Sequence, residues 1–215
     1  FTTFDMADHY GSAEEIAAEI PTGEGVENVE RFTKWVPEPG PTSRKGTLRA
    51  IQKSLKRLRT DCIDLLQFHT WRYGDPVYLE ALFYLQELKE KGLINQLGLT
   101  NVDTAHLNLI RKSGIEIVSN QVCFSLLDQR AASGQMLEYC QGNGITILAF
   151  GTLAGGFLTD GWLGKIEPST DNLASWSQMK YLRFIKEAGG WSKFQDLLRT
   201  LDKIGRRHHA SIANV

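Results

Sequence analysis

The sequence is short of cysteine and proline and carries no excess of either charge. Its three cysteines, Cys62, Cys123 and Cys140, are an odd number with no CxxC spacing. That argues against a disulfide framework and a thiolate metal site, and fits a reducing compartment; a cytoplasmic location without a metal centre is the expectation. Lysine and arginine number 24 against 25 aspartates and glutamates, a net charge of −1. Such a balance gives no general pull toward nucleic acid or an anionic membrane, and neither is expected as a partner. Two basic clusters, one of Lys53, Lys56, Arg57 and Arg59, the other of Arg206, Arg207, His208 and His209, fall on predicted helices and read as solvated faces. No signal peptide is expected, no apolar run is long enough to cross a bilayer, and no internal repeat or low-complexity linker is found. With 42% apolar and 23% charged residues in 215, the composition fits one globular domain over residues 1–215.

What the chain does have is alternation. Phe1 to Met6 reads as a strand, followed by a helix from Ser12 to Ile20 in which Ser12 and Glu15 have capping-box spacing. Strands are predicted at Val29 to Lys34, Cys62 to His69, Asn95 to Thr100, Glu116 to Asn120 and Ile145 to Phe150. Between them fall helices at Ser43 to Arg59, Val77 to Lys91, Asp103 to Lys112 and Ala132 to Asn143. The Ser43 helix sets Leu48, Ile51, Leu55 and Leu58 on one face, and Gly92 and Gly144 stand where helices end. A glycine-rich stretch, Gly151 to Asp160, leads into a long irregular region, and Trp191 to His208 is a final helix. Six β-α units in series argue for a parallel sheet with helical crossovers. A doubly wound nucleotide-binding sheet should carry GxGxxG after its first strand, and none is present. The expected fold is therefore α/β of the TIM-barrel type, (β/α)8.

In such a barrel the chemistry gathers at the C-terminal ends of the strands. Those ends carry Asp5, with Tyr10 in the following loop, then Lys34, His69, Thr100 with Asn101, Asn120 with Gln121, and Phe150. Each has an ordinary reading alone: a turn or cap for Asp5, Asn101 and Asn120, a half-buried aromatic for Tyr10, a snorkelling side chain for Lys34, a satisfied core histidine for His69. Their recurrence at successive strand ends is what needs explaining.

The local sequences around these residues resemble the aldo-keto reductase family. Phe4-Asp5-Met6-Ala7-Asp8-His9-Tyr10-Gly11 is similar to F-D-[ST]-A-x-x-Y-G, with Met6 replacing Ser or Thr. Phe32-Thr33-Lys34 resembles the strand bearing the family's lysine, and Asp64 to His69 resembles D-L-x-L-x-H. Gly98-Leu99-Thr100-Asn101 resembles G-x-S-N, Asn120-Gln121-Val122 matches N-Q-[VI], and Phe150 to Gly156 resembles [YF]-x-x-L-x-x-G. The order and spacing hold along nearly all of the chain.

The resemblance implies reduction of an aldehyde or ketone to an alcohol with NADP(H). Hydride must come from a cofactor, since no side chain supplies it. Tyr10 would give the proton, Lys34 would lower the tyrosine pKa, Asp5 would hold Lys34, and His69 would orient the substrate oxygen. Thr100, Asn101 and Gln121 would hold the nicotinamide carboxamide and Phe150 would stack on its ring. The backbone of Gly151, Thr152, Leu153 and Gly155 would approach the phosphates. Trp35 and Trp71 are candidate walls of a substrate pocket, with packing against a neighbouring loop as the equal alternative. Against that pattern, a first barrel strand is expected before Phe1 and a last one after Val215, and the segment from Glu19 to Arg31 is short. A nicotinamide-binding sensor or regulatory subunit on the same fold is the alternative. An unrelated barrel using Lys34 as a Schiff-base nucleophile is a third reading.

Overall fold

The computed structural model describes residues 1–21, 29–38 and 40–215. Strands β1 (Thr3–Asp5), β2 (Glu30–Trp35), β3 (Ile63–Phe68), β4 (Ile94–Thr100), β5 (Ser119–Cys123) and β6 (Thr146–Phe150) form one sheet in the order β1-β2-β3-β4-β5-β6. The pairs from β1 to β5 are parallel. Helices α1 (Ala13–Ala18), α2 (Arg44–Leu58), α3 (Val77–Glu90) and α4 (Thr104–Lys112) are the first four crossovers, and α5 (Arg130–Ser133) and α6 (Met136–Gly142) lie between β5 and β6. A doubly wound sheet reverses its strand order at a switch point. This sheet runs in strict chain order, which is the barrel progression.

The chain divides into two compact units. The first is Phe1–Val122 with Gln135–Leu148, and the second is Cys123–Gly134 with Ala149–Val215. In the first, α2 buries Ile51, Leu55 and Leu58, with Leu48 partly buried beside them, as the 3- and 4-residue spacing predicts. Each such side chain removed from water is worth about 1.5–3 kcal/mol. Ser43 caps this helix by accepting from the Gly46 amide at 3.1 Å, and Gly92, at φ 76°, follows the C-cap of α3. In the second unit, α7 (Trp176–Glu187) and α8 (Gly190–His208) enclose Phe157, Leu182, Ile185, Phe194 and Leu198.

Several local expectations are corrected. Ser12 is the N-cap of α1, yet its side chain makes no cap hydrogen bond; Glu15, the other half of the expected capping box, is taken by Arg57. The helix expected over Ala132 to Asn143 is two helices, because Gly134 is extended at φ −103° and ψ −170°. The fifth strand is displaced toward the C-terminus, so Asn120 and Gln121 sit inside β5 and do not end it. The region read as irregular contains α7, started by Ser175 accepting from the Gln178 amide. A short 3-10 turn, Ile212–Asn214, follows α8. The segment expected to be short, Glu19 to Arg31, falls largely on residues 22–28, which lie outside the described residues.

Candidate active site

In a parallel sheet, paired residues and alternate residues share a face. Asp5 pairs with Phe32, Lys34 with Gln67, Gly98 with Ser119, and Thr100 with Gln121. One face of β1 to β5 therefore carries Asp5, Lys34, Gln67, Thr100, Ser119 and Gln121. The other face carries Thr33, Trp35, Leu66, Phe68, Leu97 and Leu99, and packs into the apolar core.

The polar face converges on one carboxylate. Asp5 Oδ2 accepts from Lys34 Nζ at 2.5 Å and from Gln121 Nε2 at 3.0 Å, and Oδ1 accepts from Gln67 Nε2 at 2.6 Å. Lys34 also donates to the Met6 carbonyl at 3.0 Å. It is 2% exposed, and burial holds its ammonium below the usual lysine range, with Asp5 working in the opposite direction. A buried cation requires such a partner. The Lys34 ammonium lies 5.6 Å from the centre of the Tyr10 ring.

Tyr10 is 52% exposed. Its pKa lies above the ordinary tyrosine value, chiefly through partial burial and then through the Asp5 charge. Burial of the phenolate and the Asp5 charge thus act against the lowering expected from Lys34. His69 is nearly buried, and burial, reinforced by His9 and Lys34, holds its imidazole below the usual histidine range. Neutral imidazole is thus its state at pH 7.

Four atoms of this face, Gln67 Oε1, His69 Nε2, Thr100 Oγ1 and Ser119 Oγ, are buried with no hydrogen-bond partner among the described residues. Leaving such a group unsatisfied costs about 1–3 kcal/mol. The Thr100 hydroxyl and the Gln121 amide offer the donors and acceptors that a carboxamide needs. These residues fit a nicotinamide on that observation.

The turn after β4 is clamped from several sides. Tyr73 Oη donates to the Thr100 carbonyl at 3.1 Å, and the Asn101 amide donates to the Gln121 carbonyl at 2.8 Å. Asn120 donates to the Val102 carbonyl at 2.8 Å and accepts from its amide at 3.3 Å. Asn101, exposed, holds a left-handed φ of 57°, a conformation asparagine tolerates better than most residues. Asn120, expected at a strand end, thus supports the turn from within β5.

The two tryptophans separate. Trp35 faces away from Lys34 and packs edge-on against Phe68, with ring centres 5.9 Å apart. The structure does not bring it to the polar face. Trp71 is exposed, its ring centre 4.3 Å from that of His69. It also lines a cavity of about 240 Å³ with Thr70, Arg72 and Tyr78.

Phe150, Gly151, Thr152, Leu153 and Gly155 are in the second unit. The Lys180 ammonium lies 5.1 Å from the centre of the Phe150 ring. Gly151 and Gly155 have φ of 68° and 65°. A Cβ at Gly151 would overlap the Tyr181 hydroxyl, and one at Gly155 would lie 2.8 Å from Tyr181 Cδ2. Packing against buried Tyr181 is thus sufficient reason for both glycines.

Sequence reading passed over Gln67, Arg57 and Glu14. Gln67 interrupts an apolar strand where the pattern D-L-x-L-x-H has its second Leu, and that polar interruption was the available signal. Arg57 was read as part of a solvated face, but its side chain is only 14% exposed and bonds to Glu14 and Glu15.

The strict β-α progression and a polar face converging on strand ends define an α/β protein of the (β/α)8-barrel class, with six strands among the described residues. The sequence matches the aldo/keto reductase family over residues 1–215, and the chain belongs to that family. It is 35% identical over 112 residues to an NADH-specific methylglyoxal reductase of Escherichia coli, covering 51% of this chain and 33% of the relative. It is 35% identical over 115 residues to a glyoxal reductase of Bacillus subtilis, covering 53% and 40%. These matched stretches span well under half of the relatives' lengths. Among solved structures, a glycerol dehydrogenase of Gluconobacter oxydans superimposes with a TM-score of 0.78 at 22% identity, over 99% of this chain and 66% of that one. An aldo-keto reductase of Klebsiella pneumoniae in complex with NADPH does so with a TM-score of 0.64 at 28% identity, over 77% and 58%.

Proposed function

We propose that the protein reduces aldehydes or ketones to alcohols with a nicotinamide cofactor, NADPH by preference, and that it works in the cytoplasm on a small-molecule carbonyl. The observation that carries this reading is the Asp5–Lys34 pair beside Tyr10 on a face where His69 Nε2 is buried and unpartnered. Family membership supports it, as do the reductases among the relatives.

The cofactor supplies the hydride. Thr100, Asn101 and Gln121 would hold its carboxamide, Phe150 would stack on its ring, and Gly151, Thr152, Leu153 and Gly155 would form the loop toward its phosphates. His69, neutral, offers an N–H to the substrate oxygen and orients it. Tyr10 keeps its proton at neutral pH and gives it to the alkoxide oxygen as charge develops there. Lys34, protonated and held by Asp5, faces the tyrosinate that results. Trp71 forms a wall beside His69.

The test is NADPH oxidation, followed by absorbance, with methylglyoxal and an activated aromatic aldehyde. Wild-type turnover that Tyr10→Phe abolishes is the expected result. Turnover that survives Tyr10→Phe removes Tyr10 from the chemistry, and NADPH binding with no turnover on either carbonyl favours a nicotinamide sensor.

A further inference from the structure

We propose that Gln67 is a positioning residue that fixes the orientation of the Asp5 carboxylate toward Lys34; the inference rests on the reductase reading for its kinetic consequence. Asp5 is the softest member of its cluster. It ends a strand of three residues at one end of the sheet order, and its side chain is 39% exposed. Its donors are rigid by contrast: Gln67 is 0% and Lys34 2% exposed, on adjacent strands in direct register. The two carboxylate oxygens are divided between them. Lys34 holds Oδ2 at 2.5 Å, and Gln67 holds Oδ1 at 2.6 Å. With only one oxygen held, a carboxylate can turn about its terminal torsion, which is broad and two-fold. With both held, the turn is blocked, and Oδ2 stays on the lysine.

Gln67 achieves this with its Nε2 end alone. Its Oε1 is buried with no partner among the described residues, so the amide gives up one hydrogen bond to make the other. An apolar residue would pack at this position with no such deficit. A glutamine kept here at that cost is explained by its charge-assisted bond to Asp5. Gln121 shares Oδ2 with Lys34; among the described residues, Gln67 alone donates to Oδ1.

The experiment uses the whole chain with Gln67→Met, which keeps the length of the side chain and cannot donate, and Gln67→Leu as a second variant of different shape. Three readouts are taken: kcat for reduction of an aromatic aldehyde, the Kd for NADPH by fluorescence, and the water exchange of the Lys34 ammonium protons by nitrogen-15 NMR. The expected result in both variants is a kcat lower by about tenfold, an NADPH Kd within about twofold of wild type, and faster exchange at Lys34. A merely structural glutamine would alter unfolding and leave Lys34 exchange in the folded protein unchanged. Wild-type kcat together with wild-type Lys34 exchange in either folded variant overturns the proposal. Should the wild-type chain reduce no carbonyl, the reductase reading fails, and Lys34 exchange alone decides the role of Gln67.

Discussion

Arg57 of α2 and Glu14 of α1 form an ion pair at 3.1 Å, and through it the turn carrying Tyr10 is tied to the strand carrying Lys34. The same guanidinium donates to the carbonyl of Asp8 at 2.9 Å and to that of Gly11, on either side of Tyr10. Glu14 is fully buried and accepts from Thr33 Oγ1 at 2.7 Å, and Thr33 precedes Lys34 in β2. One buried carboxylate and one guanidinium thus span the two halves of the proposed proton-donating pair.

Arg57→Met leaves Glu14 buried without its counter-charge. Removing one partner of a buried pair typically costs about 3–5 kcal/mol, and this loss is expected in urea unfolding. Glu15 is the control. It also bonds Arg57, at 2.6 Å, but its side chain is 47% exposed, so Glu15→Gln is expected to cost far less than Arg57→Met. Equal losses in the two variants would mean that burial of Glu14 does not set the strength of this network.

Gly98 is fixed by its neighbour across β4 and β5. A Cβ there would overlap Ser119 Oγ and lie 3.2 Å from Gln67 Cγ. Gly98→Ala is expected to destabilise by about 1–3 kcal/mol through overpacking. Ser119→Ala removes the obstructing oxygen, which has no hydrogen-bond partner, and by itself should be close to neutral. The double variant should recover most of the loss, giving a coupling that a four-member unfolding cycle measures. Strict additivity would show that the two positions do not meet.

The fold was legible in the alternation of strand and helix patterns and in the missing GxGxxG, because hydrophobic period and glycine chemistry are local properties. Asp5, Lys34, Thr100 and Gln121 were found by their places near strand ends, and the structure gathers them on one face. Trp35 was not legible in the same way: it lies one residue from Lys34, and a period of two sends neighbours to opposite faces. Gln67 and Arg57 escaped for a different reason. Their partners are 62 and 42–49 positions away, and nothing in a local window says which carboxylate or carbonyl a buried donor will meet. The break at Gly134 and the helix α7 were lost to weak signals, a single glycine and a serine cap.

His69 makes the low-pH side of stability testable. Its folded pKa is depressed by burial and by neighbouring positive charge. A depressed group contributes stability that is present above its unfolded value, about 6.5, and lost as pH falls through the folded value. Urea unfolding between neutral pH and pH 5 should therefore show wild-type stability falling with pH more steeply than that of His69→Gln. The imidazole itself should titrate below the usual histidine midpoint by proton NMR. Parallel pH profiles for the two proteins would refute the assignment of a buried neutral His69.

Tyr10 carries the last expectation, on the alkaline side. Its phenol is raised above the ordinary value, about 10, by partial burial and then by Asp5. The phenolate absorbance lost in Tyr10→Phe, measured as a difference spectrum against pH, should therefore have a midpoint above that value. Asp5→Asn removes the second cause and also loosens Lys34 from its partner. Both changes favour the phenolate, so the midpoint should move down. A raised group holds its contribution to stability below the unfolded pKa and loses it as pH rises through the folded one, so Tyr10→Phe should flatten the alkaline loss of stability. A Tyr10 midpoint below the ordinary value in the wild-type chain would show that the Lys34 charge outweighs burial, and that Asp5 does not neutralise it.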